Sequence, residues 1–118
     1  MTGHFEIKGA SDGRFLFNLK AGNGEIVLTS SLFDTKDAVA AAIATVKENA
    51  LNDLRYERKV AKNDHPYFLL ETADGDVLGR SETYSSKSAM ENGIKSVMRA
   101  APDALVKDVS EIEAGATH

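Results

Sequence analysis

Shifted by 51 positions, this 118-residue chain repeats itself without a gap: residues 5–54 align with residues 56–105. Identical pairs include Glu6/Glu57, Lys8/Lys59, Phe17/Phe68, Leu19/Leu70, Gly24/Gly75, Ser30/Ser81, Lys36/Lys87, Ile43/Ile94 and Val46/Val97. Phe5/Tyr56, Ile26/Val77 and Phe33/Tyr84 are conservative pairs. Chance similarity needs gaps over such a span, so duplication is the better account, and whatever one copy folds into, the other must fold into as well.

Each copy reads as three strands followed by a helix. In copy one the strands are His4–Gly9, Arg14–Ala21 and Glu25–Ser30. Asn23-Gly24 between apolar alternations signals a hairpin, because both residues tolerate positive φ. A two-residue loop there sets Leu19 opposite Leu28 and Ala21 opposite Ile26, placing Phe17, Leu19, Ala21, Ile26 and Leu28 on one face. For the first hairpin a two-residue loop would put Lys8 opposite Phe17. A three-residue loop, Ser11-Asp12-Gly13, instead pairs Ile7 with Phe17 and Phe5 with Leu19, and burial decides for it, with Gly13 left-handed.

The helices start after Asp34 or Thr35 and after Ser85 or Ser86, which can cap them. Val39, Ile43, Val46 and Ala50, and their counterparts Met90, Ile94, Val97 and Ala101, form apolar stripes that should pack on the Phe17/Leu19 face. Phe33 and Tyr84 precede the caps as staples. Two positions resist the pattern. Gly93 lies inside a helix at a cost near 1 kcal/mol, and Arg58 matches Ile7, which points at the core.

A three-stranded sheet with one helix is marginal alone, and its edges invite pairing. The expected architecture is α+β: two tandem β-β-β-α-(β) repeats, residues 4–54 and 55–109, forming a single antiparallel-rich sheet with both helices on one face. Residues 1–109 make one domain, and residues 110–118 a disordered tail without apolar periodicity. The other sheet face is expected to be wet, with Glu6, Lys8, Glu57 and Lys59 on it.

The marks carried by "NGEIVLTSSLFDTKDAVAAAIATVKENA" and "DGDVLGRSETYSSKSAMENGIKSVMRAA" are the Asn-Gly or Asp-Gly turn, Ser85-Ser86-Lys87 at the helix start and Asn92-Gly93-Ile94 at its centre. With these the chain resembles the YegP-like proteins, small bacterial proteins of uncharacterised function. Copy one departs at Asp34-Thr35-Lys36 and Ala40-Ala41-Ala42-Ile43. The resemblance covers nearly all of residues 4–109. It implies a tandem β3-αβ arrangement in one sheet, with terminal strands exchanged between the units, and it implies no activity.

Function is less constrained. Cysteine is absent, which excludes disulfides and thiolate chemistry. The first residues show no basic region before an apolar run, and no apolar stretch approaches the ~20 residues that cross a bilayer, so a cytoplasmic protein without a membrane role is expected. The net charge is −4. Residues 1–59 carry eight basic and eight acidic side chains, residues 60–118 six and ten, so the deficit lies wholly in the second half. A polyanion binder needs a positive footprint. The one short basic cluster, Arg55–Lys62, is interrupted by Glu57.

His4, His65 and His118 have no counterpart in the other copy and no metal-ligand spacing, so no metal and no cofactor are expected. No Gly-x-Ser-x-Gly, Walker or dinucleotide pattern occurs, no nucleophile–base–orienter set can be named, and no catalytic residue is assigned. The candidate site is an anion-binding one. Lys36 and Lys87 each sit in a first helical turn beside the hydroxyls of Thr35 and Ser86, and a helix start can hold an anion. The plainer alternative is a solvated lysine whose stem covers Phe33 or Tyr84. Together these readings give a non-catalytic module that binds a protein or a small ligand, with a protein partner or a small anion as the possible partners. The alternative is a nucleic-acid binder using Leu16, Tyr67 and Arg80 on the exposed sheet face, with Arg14 near one edge, against which the acidic balance argues. Because the copies pair internally, a monomer is expected, with a homodimer through a leftover edge as the other possibility.

Overall fold

The computed structural model describes residues 3–110. The expected tail, except for Ser110, lies outside the described residues. Two helices pack on one face of a seven-stranded sheet. The strands are β1 (His4–Gly9), β2 (Phe15–Lys20), β3 (Ile26–Thr29), β4 (Tyr56–Val60), β5 (Pro66–Glu71), β6 (Val77–Arg80) and β7 (Leu105–Asp108). The helices α1 (Lys36–Asn49) and α2 (Lys87–Ala100) are offset by the same 51 residues as the sequence. The strand order is β4-β5-β6-β3-β2-β1-β7, antiparallel throughout except for β7, which runs parallel to β1.

The first hairpin has the expected register, Phe5↔Leu19 and Ile7↔Phe17, with Gly13 at φ +86°. The second hairpin differs from the two-residue reading. The Ala21 N–H donates to the Glu25 carbonyl and Gly24 N–H to Ala21, so the loop is Gly22-Asn23-Gly24 and Ala21 faces Glu25, not Ile26. A bulge then takes back the extra residue. Lys20 pairs with Ile26 but Leu19 still pairs with Leu28. Two one-residue shifts cancel, and the extra residue, Val27, becomes buried. All four hairpins share this three-residue loop, and the left-handed position holds Gly13, Gly24, Gly75 and, alone without glycine, Asp64 at φ +65°.

At the end of β3 the buried Ser30 hydroxyl accepts from Phe17 N–H (2.9 Å) and donates to the Ser31 carbonyl (2.7 Å). Ser81 does the same with Phe68 and Glu82. The identity of this pair across the copies therefore has a backbone cause: the hydroxyl satisfies groups freed where the chain leaves the strand.

The core mixes the copies. Phe5 and Phe17 meet edge to face at 5.6 Å, as do Tyr56 and Phe68. α1 touches β1 and β2 of its own copy and also β5 and β6, while α2 touches β2 and β3 as well as β5. At the seam β3 and β6 pair only through Thr29↔Arg80. There Leu28 packs against its own repeat counterpart, Gly79. A Cβ on Gly79 would lie 2.7 Å from Leu28 Cγ. Two leucines cannot occupy this near-axial place, so the duplication breaks its symmetry.

Gly93 is explained similarly. Tyr84 lies on it, and an added Cβ would collide with the phenol oxygen and come within 2.6 Å of Cζ. The counterpart pair is Phe33 and Ala42, a ring without the hydroxyl and a residue with the methyl. Arg58 keeps the register of Ile7, since Arg58↔Phe68 matches Ile7↔Phe17. Its guanidinium leaves the core: Nε lies 2.6 Å and Nη2 3.0 Å from the Glu91 carboxylate, and Nη2 is 2.8 Å from Asp53. Ile7 is buried because β7 covers β1. Among the described residues β4 is an edge strand, where a charge stays hydrated, and charged side chains also blunt such edges.

Two predictions follow the broken symmetry. Gly93→Ala should cost about 1–2 kcal/mol in urea unfolding despite its better helix propensity, because overpacking exceeds the ~1 kcal/mol propensity gain. Tyr84→Phe in the same chain should recover most of that loss, giving a coupling of about 1 kcal/mol. Asp64→Gly should raise stability by about 0.5–1 kcal/mol by relieving the left-handed backbone.

Candidate functional site

Lys36 and Lys87 open their helices as expected, and Thr35 and Ser86 are the N-caps. Thr35 Oγ1 accepts from Ala38 N–H at 3.1 Å, and Ser86 Oγ from Ala89 N–H at 3.0 Å. The four candidate residues fall into two equivalent places, one per copy.

In copy one a carboxylate lies beside the lysine. Lys36 Nζ is 2.9 Å from Asp108 Oδ2, and it also stands 5.7 Å from the centre of the Phe15 ring. Asp108 belongs to β7. Its carboxylate accepts from the Ser110 hydroxyl and, at 3.0 Å, from Ser110 N–H. Ser110, assigned to the tail on sequence grounds, is thus buried against the end of β7. Lys47 Nζ donates to the Ala104 carbonyl (2.8 Å) and Val109 N–H to Ile7 (2.9 Å). A strand that follows α2 is therefore clasped by the helix and first strand of copy one.

In copy two the corresponding place is open. A groove of about 380 Å³ runs along β4, lined by Arg58, Val60, Pro66, Ser86, Lys87 and Met90 among others. The nearest charge on its own helix is Glu91, whose carboxylate Arg58 holds.

The helix-free face carries a different arrangement. His4 Nε2 lies 2.9 Å and Lys20 Nζ 3.2 Å from Glu6, and the Thr29 hydroxyl donates to Asn18 Oδ1 at 2.8 Å. Arg80 stacks on Tyr67 at 4.6 Å. At the β3–β6 seam a cleft of about 410 Å³ is lined by Thr29, Leu69, Val77, Gly79, Arg80 and Glu82 among others. Sequence reasoning named Tyr67 and Arg80 but missed Leu69 and Val77, whose apolar side chains gather only once β5 and β6 meet β3. Among the described residues, no three His, Cys, Asp or Glu side chains stand together in a way that could hold a metal ion. His118 lies outside those residues.

The ion pairs set a direction with pH. The Arg58 guanidinium lowers the Glu91 carboxyl below its ordinary 4.5. The His4 ring, then Lys20, lowers Glu6, and the Ser110 hydroxyl, then Lys36, lowers Asp108. A carboxylate with a lowered folded-state pKa stabilises the fold above its unfolded value, and the contribution is lost as pH falls through the folded value. Thermal unfolding should therefore occur at lower temperature at pH 3 than at pH 6, and Glu91→Gln should make that dependence shallower.

Known proteins were compared with this chain. The family described as "Domain of unknown function (DUF1508)" matches it twice, at residues 10–57 and 61–108. A UPF0339 protein of Acinetobacter baylyi is 48% identical over 110 residues, covering 93% of this chain and 99% of that protein. The UPF0339 protein YegP of Yersinia pestis is 43% identical over 108 residues, covering 92% and 96%. The solution NMR structure of a UPF0339 protein from Shewanella oneidensis superposes with a TM-score of 0.89 at 42% identity, covering 100% of this chain and 99% of that one. That of yegP from E. coli, a protein of unknown function, gives 0.88 at 41%, covering 93% and 95%. With both repeats matched and nearly full-length relatives above 40% identity, the chain belongs to the DUF1508/UPF0339 family, with the YegP proteins among its members.

Proposed function

We propose that the chain is a non-catalytic binding module that takes a protein segment or small ligand on its helix-free sheet face, at the β3–β6 seam. The observation that carries this reading is the cleft there: apolar Leu69 and Val77 lie beside Arg80 and Glu82. Val77 is 51% exposed and sits on a strand, where its surroundings are fixed by backbone pairing. An apolar floor with a few placed polar groups is the usual composition of a ligand site. Arg80 is held over Tyr67, so its guanidinium is oriented before anything binds.

The nucleic-acid alternative draws less support from the same face. Lys20 is paired with Glu6, Lys59 with Glu57 and Arg14 with Asp12, so its cations are largely neutralised locally. Nucleic-acid affinity rests on phosphate neutralisation by such groups.

A fragment and peptide panel titrated into the isotope-labelled chain should give binders that shift the Leu69, Val77 and Arg80 amides. Val77→Asp should abolish those shifts while changing stability by no more than about 0.5 kcal/mol. Binders that all map elsewhere, or a panel with none above background, would overturn the seam site. An oligonucleotide that shifts the same amides in low salt, and loses the effect steeply as salt rises, would favour the alternative.

A further inference from the structure

The two copies differ at one place in the sheet. Outside β1 lies β7, in parallel register with Phe5↔Val106 and Ile7↔Asp108. Outside β4, the repeat equivalent of β1, no strand lies among the described residues. The Ile7 carbonyl accepts from Val109 N–H, and the equivalent carbonyl, on Arg58, has no strand beside it.

The two lysines differ in the same way. Lys36 is ion-paired to the strand outside β1, while among the described residues no ion pair is formed by Lys87. The grooves share four repeat positions. About 280 Å³ in copy one is lined by Gly9, Gly13, Phe15, Lys36 and Ser110, and about 380 Å³ in copy two by Val60, Asp64, Pro66 and Lys87 in the first four places. Ser110, which arrives with β7, lines only the first, and Arg58, Ser86 and Met90 line only the second.

We propose that the outer edge of β4 docks an extended segment of a partner protein, parallel to β4, with an Asp or Glu seated against Lys87 as Asp108 is seated against Lys36. The register of β7 specifies the segment. An apolar residue lies beside Tyr56 and an acidic one two positions on, beside Arg58, with a small hydroxyl residue two further, after Val106, Asp108 and Ser110. The matching place in copy one decides for an acidic occupant: Lys36 takes Asp108 there, whereas Lys87 forms no ion pair among the described residues, the carboxylate of nearby Glu91 being held by Arg58. Main-chain pairing along an open edge supplies affinity and the alternate side chains supply selectivity. Two contacts on this edge must yield, the weak one from Arg58 Nη1 to the Tyr56 carbonyl, 3.5 Å, and the bond from Tyr56 N–H to the Asp53 carbonyl. This chain's own β7 is held at β1 by Lys36, Lys47 and Ile7, so a partner is the better occupant than a second copy. The inference is independent of the seam site.

The test uses the full isotope-labelled chain and a synthetic peptide of the sequence Ala-Leu-Val-Lys-Asp-Val-Ser, copied from residues 104–110. Saturable shifts at the Tyr56, Arg58, Val60 and Lys87 amides are expected at up to about 1 mM peptide. Replacing the peptide's Asp by Lys should weaken binding about threefold or more, and Lys87→Glu should reverse that preference. Val77→Asp should leave all of this unchanged, which separates this site from the seam. The proposal is overturned by an absence of shifts, by shifts confined to β1 or the helix-free face, by indifference to the charge exchange, or by sedimentation showing that the peptide-free chain already dimerises through β4.

Discussion

Leu28 rests on the bare backbone of Gly79, and the sheet is continuous because of it. These two residues are each other's repeat counterparts, and they meet where β3 and β6 share a single bridging pair. A side chain on both would hold the strands apart, and each three-stranded half would keep an open edge and a half-covered apolar face. With the seam closed, α1 can reach over β5 and β6 and α2 over β2 and β3. One core then forms where neither half supplies enough apolar area alone.

The duplication persists in the backbone and is relaxed in the side chains, in matched pairs. Phe33 with Ala42 becomes Tyr84 with Gly93, a hydroxyl gained against a methyl lost. Ile7 with Ala40 becomes Arg58 with Glu91, a buried apolar side chain replaced by a bidentate ion pair at 2.6 and 3.0 Å. The first exchange conserves volume in a packed place. The second follows hydration: β1 is covered by β7 and β4 is not. Departures from the repeat thus report on environment.

Strand positions, helix positions and the core face were legible in the sequence because they rest on local chemistry: period-2 and period-3.6 apolar spacing, Gly at turns, and hydroxyls before helices. Thr35 and Ser86 cap as their residue types dictate. The length of the second loop was misread because Asn-Gly suits two turn types. The choice depended on Gly22 and on a bulge that returns Leu28 to the core, and a bulge has no local signature. The Lys36 and Lys87 pairing was visible as repetition, yet its different fate in each copy was not.

By itself the sequence determined that two equivalent β-β-β-α units exist, which faces are apolar, and that the chain carries no net positive footprint. Those properties follow from residue types and spacings along one segment. Tertiary structure alone decided that β7 lies parallel to β1, that Asp108 meets Lys36, that Thr29 meets Arg80 at the seam, and that, among the described residues, β4 is left as an edge. Each of these joins residues far apart in the chain, and which strand lies beside which is settled by the shared core and not by any local preference.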